Sequence, residues 1–217
     1  MFRQTKNAFR AVVDTLFPLC CVACGSHGAL CCESCMITIR INPHLVRLDF
    51  PKELNVLTCV EFKHKVVAPL IYAFKYDGMS DACEYFARIF QRMPHELQNT
   101  LRRYDMVLPI PLHRRRICER GYSQNTLLAR SCFGAEKVCD TAIMRTRYTE
   151  SQTGLTKTMR AKNIDGCFKV ENLSFVIGKT IVLVDDVITT GATIKECARV
   201  LFEAGAKEVR GFAIARD

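Results

Sequence analysis

No apolar run in this chain approaches the roughly 18 residues a membrane-spanning helix requires, so no spanning segment is expected among its 217 residues. The N-terminal stretch carries Arg3, Lys6, Arg10 and Asp14 at intervals. It therefore lacks both the unbroken apolar core and the small-residue cleavage site of a secretory signal. There is no internal repeat and no low-complexity tract. Acids are scarce relative to bases, 22 Asp and Glu against 31 Lys and Arg, and the net charge of +9 favours anionic partners: phosphates, nucleotides, nucleic acid or an acidic membrane surface. Charge does not choose among these. An apolar fraction of 49% with 24% charged residues suits a soluble globular protein, long enough for one ordinary domain and a small appendage. Cysteine, by contrast, is abundant. The count of 13 is odd and most lie scattered outside one cluster, which disfavours a secreted disulfide scaffold and points to the reducing cytoplasm with a single metal site.

Cysteine density falls after Cys35, which divides the chain into an N-terminal module (1–41), an irregular linker (42–52) and a main domain (53–217). At the start, Phe2, Phe9, Val12, Val13, Leu16 and Phe17 predict a short amphipathic helix stopped before Pro18. It either packs on the rest of the protein or rests on a membrane surface. In the main domain, short β-branched runs at 56–62, 106–109, 180–185 and 208–214 predict strands. Helical periodicity marks 66–76, 81–91, 123–131 and 192–203. Such alternation implies a parallel sheet covered by helices, an α/β fold.

The most informative segment begins with the apolar strand Ile181, Val182, Leu183 and Val184, which ends in Asp185 and Asp186. Val187 and Ile188 follow, then Thr189, Thr190, Gly191, Ala192 and Thr193, then a helix with Ile194, Cys197, Val200 and Leu201 on one face. Ligands in open α/β sheets bind beyond the carboxyl ends of strands. Adjacent carboxylates there can accept hydrogen bonds from two vicinal hydroxyls, which is what a ribose offers. A loop of small, hydroxyl-rich residues lets backbone N–H groups approach a phosphate, Gly191 permits the sharp turn, and the helix presents its positive end. The same acids can also serve as helix caps and the threonines as turn residues. The complete string, however, resembles position for position the phosphoribosyl pyrophosphate (PRPP) signature of type I phosphoribosyltransferases. That resemblance implies Asp185 and Asp186 on the ribose hydroxyls, Thr189 through Thr193 around the 5-phosphate, and Mg²⁺ bridging the ribose hydroxyls and the pyrophosphate, an arrangement in which the metal takes most ligands from substrate and water.

Upstream, the strand ending at Pro109 runs into a proline-stiffened loop, Ile110, Pro111, Leu112 and His113. Arg114, Arg115, Arg116 and Arg120 follow, opposed by Glu119 alone. Clustered arginines beside a strand end neutralise pyrophosphate well, so Leu112, His113 and Arg114 join the candidate ligand-binding set. A second basic stretch holds Arg145, Arg147, Lys157, Arg160 and Lys162. Its polar run 151–155 suits either a mobile lid or an ordinary surface loop.

Cys21, Cys24, Cys32 and Cys35 form two Cys-x-x-Cys knuckles, the donor set of a tetrahedral structural Zn²⁺ site, with the doublets at Cys20 and Cys31 leaving the register open by one residue. A redox pair and buried free thiols are the other readings, and His27 is a further candidate ligand. Zinc module, the string from Pro109 to Leu112, Arg120 to Gln124, Gln152, Arg160 with Asn163, and the segment Asp185 to Thr193 together resemble the ComF family of competence proteins. That resemblance covers nearly the whole chain. It implies a cytoplasmic protein of natural transformation that handles incoming single-stranded DNA, binds PRPP and meets other competence-machinery proteins. Tyr72, Phe74, Tyr76 and Tyr122 are candidates for stacking on bases, or else for core packing. The alternative is an active phosphoribosyltransferase for a nucleobase or other small acceptor, with no role in DNA. Where the family commonly has Phe-Asn this chain has Tyr122-Ser123, which weakens any inherited role for Ser123.

Overall fold

A strand covered on both faces must be apolar nearly throughout, and two stretches of this chain meet that condition and lie side by side at the centre of the sheet. The structure, a computed structural model, describes residues 19–149 and 163–217. In chain order these form α1 (Glu33–Met36), β1 (His44–Arg47), β2 (Asn55–Glu61), α2 (Val67–Tyr76), α3 (Ala82–Gln91), α4 (His95–Arg102) and β3 (Met106–Pro109). There follow α5 (Arg114–Arg120), α6 (Gln124–Phe133), β4 (Ile143–Arg145), β5 (Phe168–Val170), β6 (Thr180–Ile188), α7 (Ala192–Glu203) and β7 (Glu208–Arg216). The expected N-terminal helix and the lid at 151–155 lie outside the described residues.

The main sheet has the order β1-β2-β7-β6-β3, antiparallel between β1 and β2 and parallel elsewhere. Side-chain alternation along β6 sends Val182 and Val184 into a core shared with α2, α3 and α6, and Ile181 and Leu183 into a second core against α7 and the β4–β5 ribbon. Both layers are therefore anchored to one strand. The α/β fold with a mostly parallel sheet is as expected, with strands and helices close to their predicted bounds.

Helix α4 and strands β4 and β5 add to the expected elements, and three further segments differ from expectation. The linker at 42–52 contains β1, which pairs with β2 from His44 opposite Thr58 to Arg47 opposite Asn55. Its four residues alternate between half-buried and exposed, as an edge strand does. The arginine segment, assigned no element from the sequence, is helical as α5. His113 Nδ1 accepts from the Arg115 N–H at its start (3.2 Å), and Gly121 in the left-handed conformation (φ 79°) ends it. Strand β6 also runs three residues past Asp185, because Val187 and Ile188 stay paired with Ala215 and Arg216 of β7.

The cysteine module is not a loose appendage. Leu30, Cys31, Met36 and Ile39 share the core of α2 and α3. Arg92 donates to Met36 O (3.1 Å) and Ile39 O (2.8 Å), while Arg88 binds the Glu33 carboxylate at 2.6 Å.

Candidate ligand-binding cleft and metal centre

Unequal strand lengths open the cleft. Pro109 pairs with Val184 at the end of β3, and Pro111 lacks the N–H that further pairing would use. Strand β6 continues, so Asp185 and Asp186 are its first residues beyond the reach of β3. The cleft there has a volume of about 550 Å³. Its floor is the run from Asp185 to Ile194. Lys75 and Tyr76 of α2, Arg116 and Arg120 of α5, Gln124 and Asn125 of α6, and Arg145 of β4 form the walls. This is the switch-point position at which α/β sheets bind ligands.

The two acids lie on opposite faces of β6 and have different neighbours. Asp186, on the α2 side, is buried; its Oδ1 meets Lys75 Nζ at 2.8 Å and its Oδ2 accepts from Gln124 Nε2 at 3.2 Å. Asp185 is half-buried, accepting through Oδ1 from Asn125 Nδ2 and from the Asp186 N–H, both at 3.0 Å. Burial and the charge of Asp186 push the Asp185 carboxyl up to about 7, against the opposing pull of Lys75 and the two donors. For Lys75, burial lowers the ammonium pKa, but Asp186 outweighs it and the net direction is upward.

Beyond the acids, Gly191 adopts φ 73° and starts α7, where a Cβ would come within 2.6 Å of Leu48. The close approach of Leu48, together with the left-handed backbone, restricts this position to glycine. Thr190 Oγ1 accepts from the Ala192 N–H at 3.4 Å. Opposite the loop, Arg116 donates to Thr149 O (3.0 Å). Arg145, only 8% exposed, donates to the Thr149 hydroxyl and to Arg147 O (3.3 Å), with its guanidinium 5.4 Å from the Phe168 ring centre. Burial, then Arg116, lower the Arg145 pKa. Among the described residues, Arg120 Nη1, Gln124 Oε1 and Asn125 Oδ1 are buried without a hydrogen-bond partner, and all three residues line the cleft. Such orphaned groups carry a desolvation penalty that a polar ligand would relieve. The cleft thus offers cations for an anion, acceptors for hydroxyls, and spare donor and acceptor atoms.

In the N-terminal module, Cys21, Cys24, Cys32 and Cys35 bring their sulfurs within 4.8 Å of one another, with Cys24 and Cys32 at 3.6 Å. Four thiolates at Zn–S distances near 2.3 Å sit about 3.8 Å apart in a tetrahedron, so this donor set fits a structural zinc ion. The knuckle geometry is present: the Cys32 N–H donates to Cys21 Sγ at 3.4 Å, and the Cys21 thiol is pulled down to about 6, the donors at Cys32, Ala23 and Cys24 outweighing burial. The register is resolved as well. Cys31 turns into the core, where burial pushes its thiol up to about 11, and Cys20 lies outside the cluster with its sulfur 3.4 Å from His27 Nδ1.

Known proteins fit this arrangement. Residues 121–217 match the phosphoribosyl transferase domain family. A "DNA utilization protein YhgH" of Escherichia coli is 30% identical over 203 residues, spanning 90% of this chain and 83% of that protein. The "Competence protein F" of Haemophilus influenzae is 29% identical across 68% of this chain and 66% of its own length. "Competence protein ComFC" of Bacillus subtilis is 32% identical across 74% of this chain and 59% of its own length. The chain belongs to the ComF family of competence proteins. Within this ComF chain, the structure brings Asp185 through Thr193 and Leu112 into one cleft. His113 instead caps α5 with its ring edge-on to Tyr148 (5.4 Å), and Arg114 is exposed on the outside of α5; neither lines the cleft. Of the arginine cluster, Arg116 and Arg120 do. Ser123 N-caps α6 through the Thr126 N–H (3.4 Å). Lys75 had no role in the sequence reading. Its only signal there is a lone lysine in the last turn of an otherwise apolar helix. Gln124 and Asn125, 3% and 1% exposed, are a second such signal: two amides at a helix start that only a polar site explains.

Proposed function

We propose that this protein binds PRPP with Mg²⁺ in the cleft at the end of β6 and acts in DNA uptake during natural transformation, contacting single-stranded DNA in the cytoplasm. In this reading residues 53–217 are one phosphoribosyltransferase-like domain, and residues 1–41 are a helix and a Zn²⁺ module that docks on it. The observation that carries the reading is the acid pair of Asp185 and Asp186 followed directly by the Thr189–Thr193 loop at the start of α7, in a cleft walled by Arg116, Arg120 and Arg145. Asp185 and Asp186 accept from the ribose hydroxyls. The loop and the first turn of α7 take the 5-phosphate on backbone N–H groups and threonine hydroxyls. Arg116, Arg120 and Arg145 face the pyrophosphate, whose charge complements their three guanidiniums. Mg²⁺, when bound, neutralises pyrophosphate charge and draws most of its ligands from PRPP and water. Gln124 and Asn125 hold the two carboxylates in place and offer their free oxygens to hydroxyl donors. The relatives' names supply the DNA-uptake part of the reading, and other competence-machinery proteins are the expected partners.

Calorimetric titration with PRPP tests it, with and without Mg²⁺. The double variant Asp185→Asn with Asp186→Asn keeps side-chain volume while removing both charges. At about 1.5–3 kcal/mol for each charged hydrogen bond, PRPP affinity should fall at least a hundredfold. Unchanged affinity in the double variant, or equal binding with Mg²⁺ chelated, refutes the assignment.

A further inference from the structure

Helix α2 turns Val67, Leu70, Ile71, Ala73 and Phe74 into the core, as an amphipathic helix must. Its solvent face nonetheless carries two tyrosines one turn apart, Tyr72 (51% exposed) and Tyr76 (63% exposed). Their rings stack on each other with centres 6.1 Å apart and 29° between planes. Phe62 extends the row, edge-on to Tyr72 at 5.8 Å, and Arg120 lies over Tyr76 at 5.3 Å. The row is therefore Arg120, Tyr76, Tyr72, Phe62. Both Tyr76 and Phe62 also line the cleft, so the row is its outer rim. The other two aromatics that the sequence offered as base-stacking candidates are committed elsewhere: Phe74 is fully buried, and Tyr122 donates its hydroxyl to Phe74 O.

We propose that this aromatic rim is the track on which bases of single-stranded DNA stack, placing the strand across the mouth of the cleft. The inference rests on the DNA-contacting part of the function proposed above and assigns its surface. Contiguous exposed aromatic surface beside a cleft marks an interaction site, and tyrosines that keep their hydroxyls in water while presenting ring faces suit bases of any sequence. Charge matches the occupant. Arg120 closes the cleft end of the row, and Lys63 and Lys65 stand exposed beyond Phe62 at the other end, Lys63 sharing its charge with Asp217 at 3.2 Å. Cations flanking a row of exposed aromatic rings suit a phosphate backbone carrying unstacked bases, and the net charge of +9 draws such a strand in.

Fluorescence anisotropy with an oligothymidylate of about 20 nucleotides, and with an abasic strand of the same length, separates stacking from phosphate contacts. Wild-type protein should bind oligothymidylate at least tenfold more tightly than the abasic strand, since each stacked base contributes about a factor of ten. Tyr72→Ala with Tyr76→Ala should reduce oligothymidylate binding to the abasic level and leave abasic binding and the salt slope unchanged. Tyr72→Phe with Tyr76→Phe should retain wild-type affinity. The chain has six tyrosines and no tryptophan, so quenching of tyrosine emission on binding reports the contact directly. If wild type binds both strands equally, or the alanine variant binds oligothymidylate like wild type, the rim is not the track although the protein still contacts DNA. If wild type binds neither strand at micromolar protein, the DNA-contacting function itself fails and the rim with it.

Discussion

Lys75→Met removes one charge and keeps most of the buried stem, which makes it the sharpest probe of the cleft. Asp186 would be left with a single neutral donor, Gln124 Nε2 at 3.2 Å, in place of an ammonium at 2.8 Å. At 2.8 Å and an effective dielectric near 20 the Coulomb attraction is about 6 kcal/mol, from which the desolvation of Lys75 must be subtracted. Breaking a buried pair by removing one partner typically costs about 3–5 kcal/mol, and the low end applies because the Lys75 side chain retains 21% exposure against 4% for Asp186. For a chain of 217 residues, a loss of about 3 kcal/mol lowers the melting temperature by about 6–12 °C. Urea unfolding at neutral pH measures it. Adding Asp186→Asn removes the stranded charge, so the double variant should lose less than the sum of the singles, with a coupling of at least about 1 kcal/mol. A single-variant loss below about 1 kcal/mol, or strict additivity, refutes the claim that this pair is a unit.

The zinc site predicts about one zinc per chain in purified protein. Cys24→Ser or chelation should then uncover Leu30, Cys31, Met36 and Ile39 and lower the melting temperature; a metal-free chain that melts like wild type refutes it. The Asp185 carboxyl, raised to about 7, keeps a proton in the folded state that the unfolded chain has already lost above about pH 4, so its contribution to stability falls as pH rises between those values. Asp185→Asn should therefore match wild type near pH 4 and melt higher than wild type above pH 7; melting curves with the same pH dependence refute the shift. Replacing Arg114, Arg115 and Arg116 with alanine should flatten the salt dependence of single-stranded DNA binding by up to about two logarithmic units, at roughly 0.7 per phosphate contact, and an unchanged slope places the backbone contacts elsewhere.

What was legible in the sequence was whatever depends on local pattern. Strands β6 and β7 read as strands because buried central strands are apolar throughout, and the acid pair, loop and helix start read as a site because they are contiguous. The four-cysteine set was legible for the same reason; only its register needed the fold, which turns Cys31 into the core. Features defined by a distant partner were not legible. Strand β1 has proline on either side and only Leu45 and Val46 as apolar residues, so nothing but its pairing with β2 distinguishes it from a linker. Helix α5 has no buried residue and hence no apolar period to detect; its caps, His113 and Gly121, hold it. Lys75 is unremarkable until β6 brings Asp186 to it.

That last contact carries a consequence for the site. An acid pair on one strand sends its two carboxylates to opposite faces of the sheet, so the fold must solve two burial problems at the same point. On the α2 face it supplies a cation, with Lys75 Nζ 2.8 Å from the buried Asp186 side chain. Asp185, on the other face, accepts from Asn125 Nδ2 and from the Asp186 N–H, and burial with the neighbouring charge of Asp186 pushes its carboxyl to about 7. One carboxylate is thus held ready as an acceptor, while the other gains most from an incoming cation or hydroxyl donor. A carboxyl raised to about 7 would make any contact that Asp185 makes with a ligand depend on pH near neutrality.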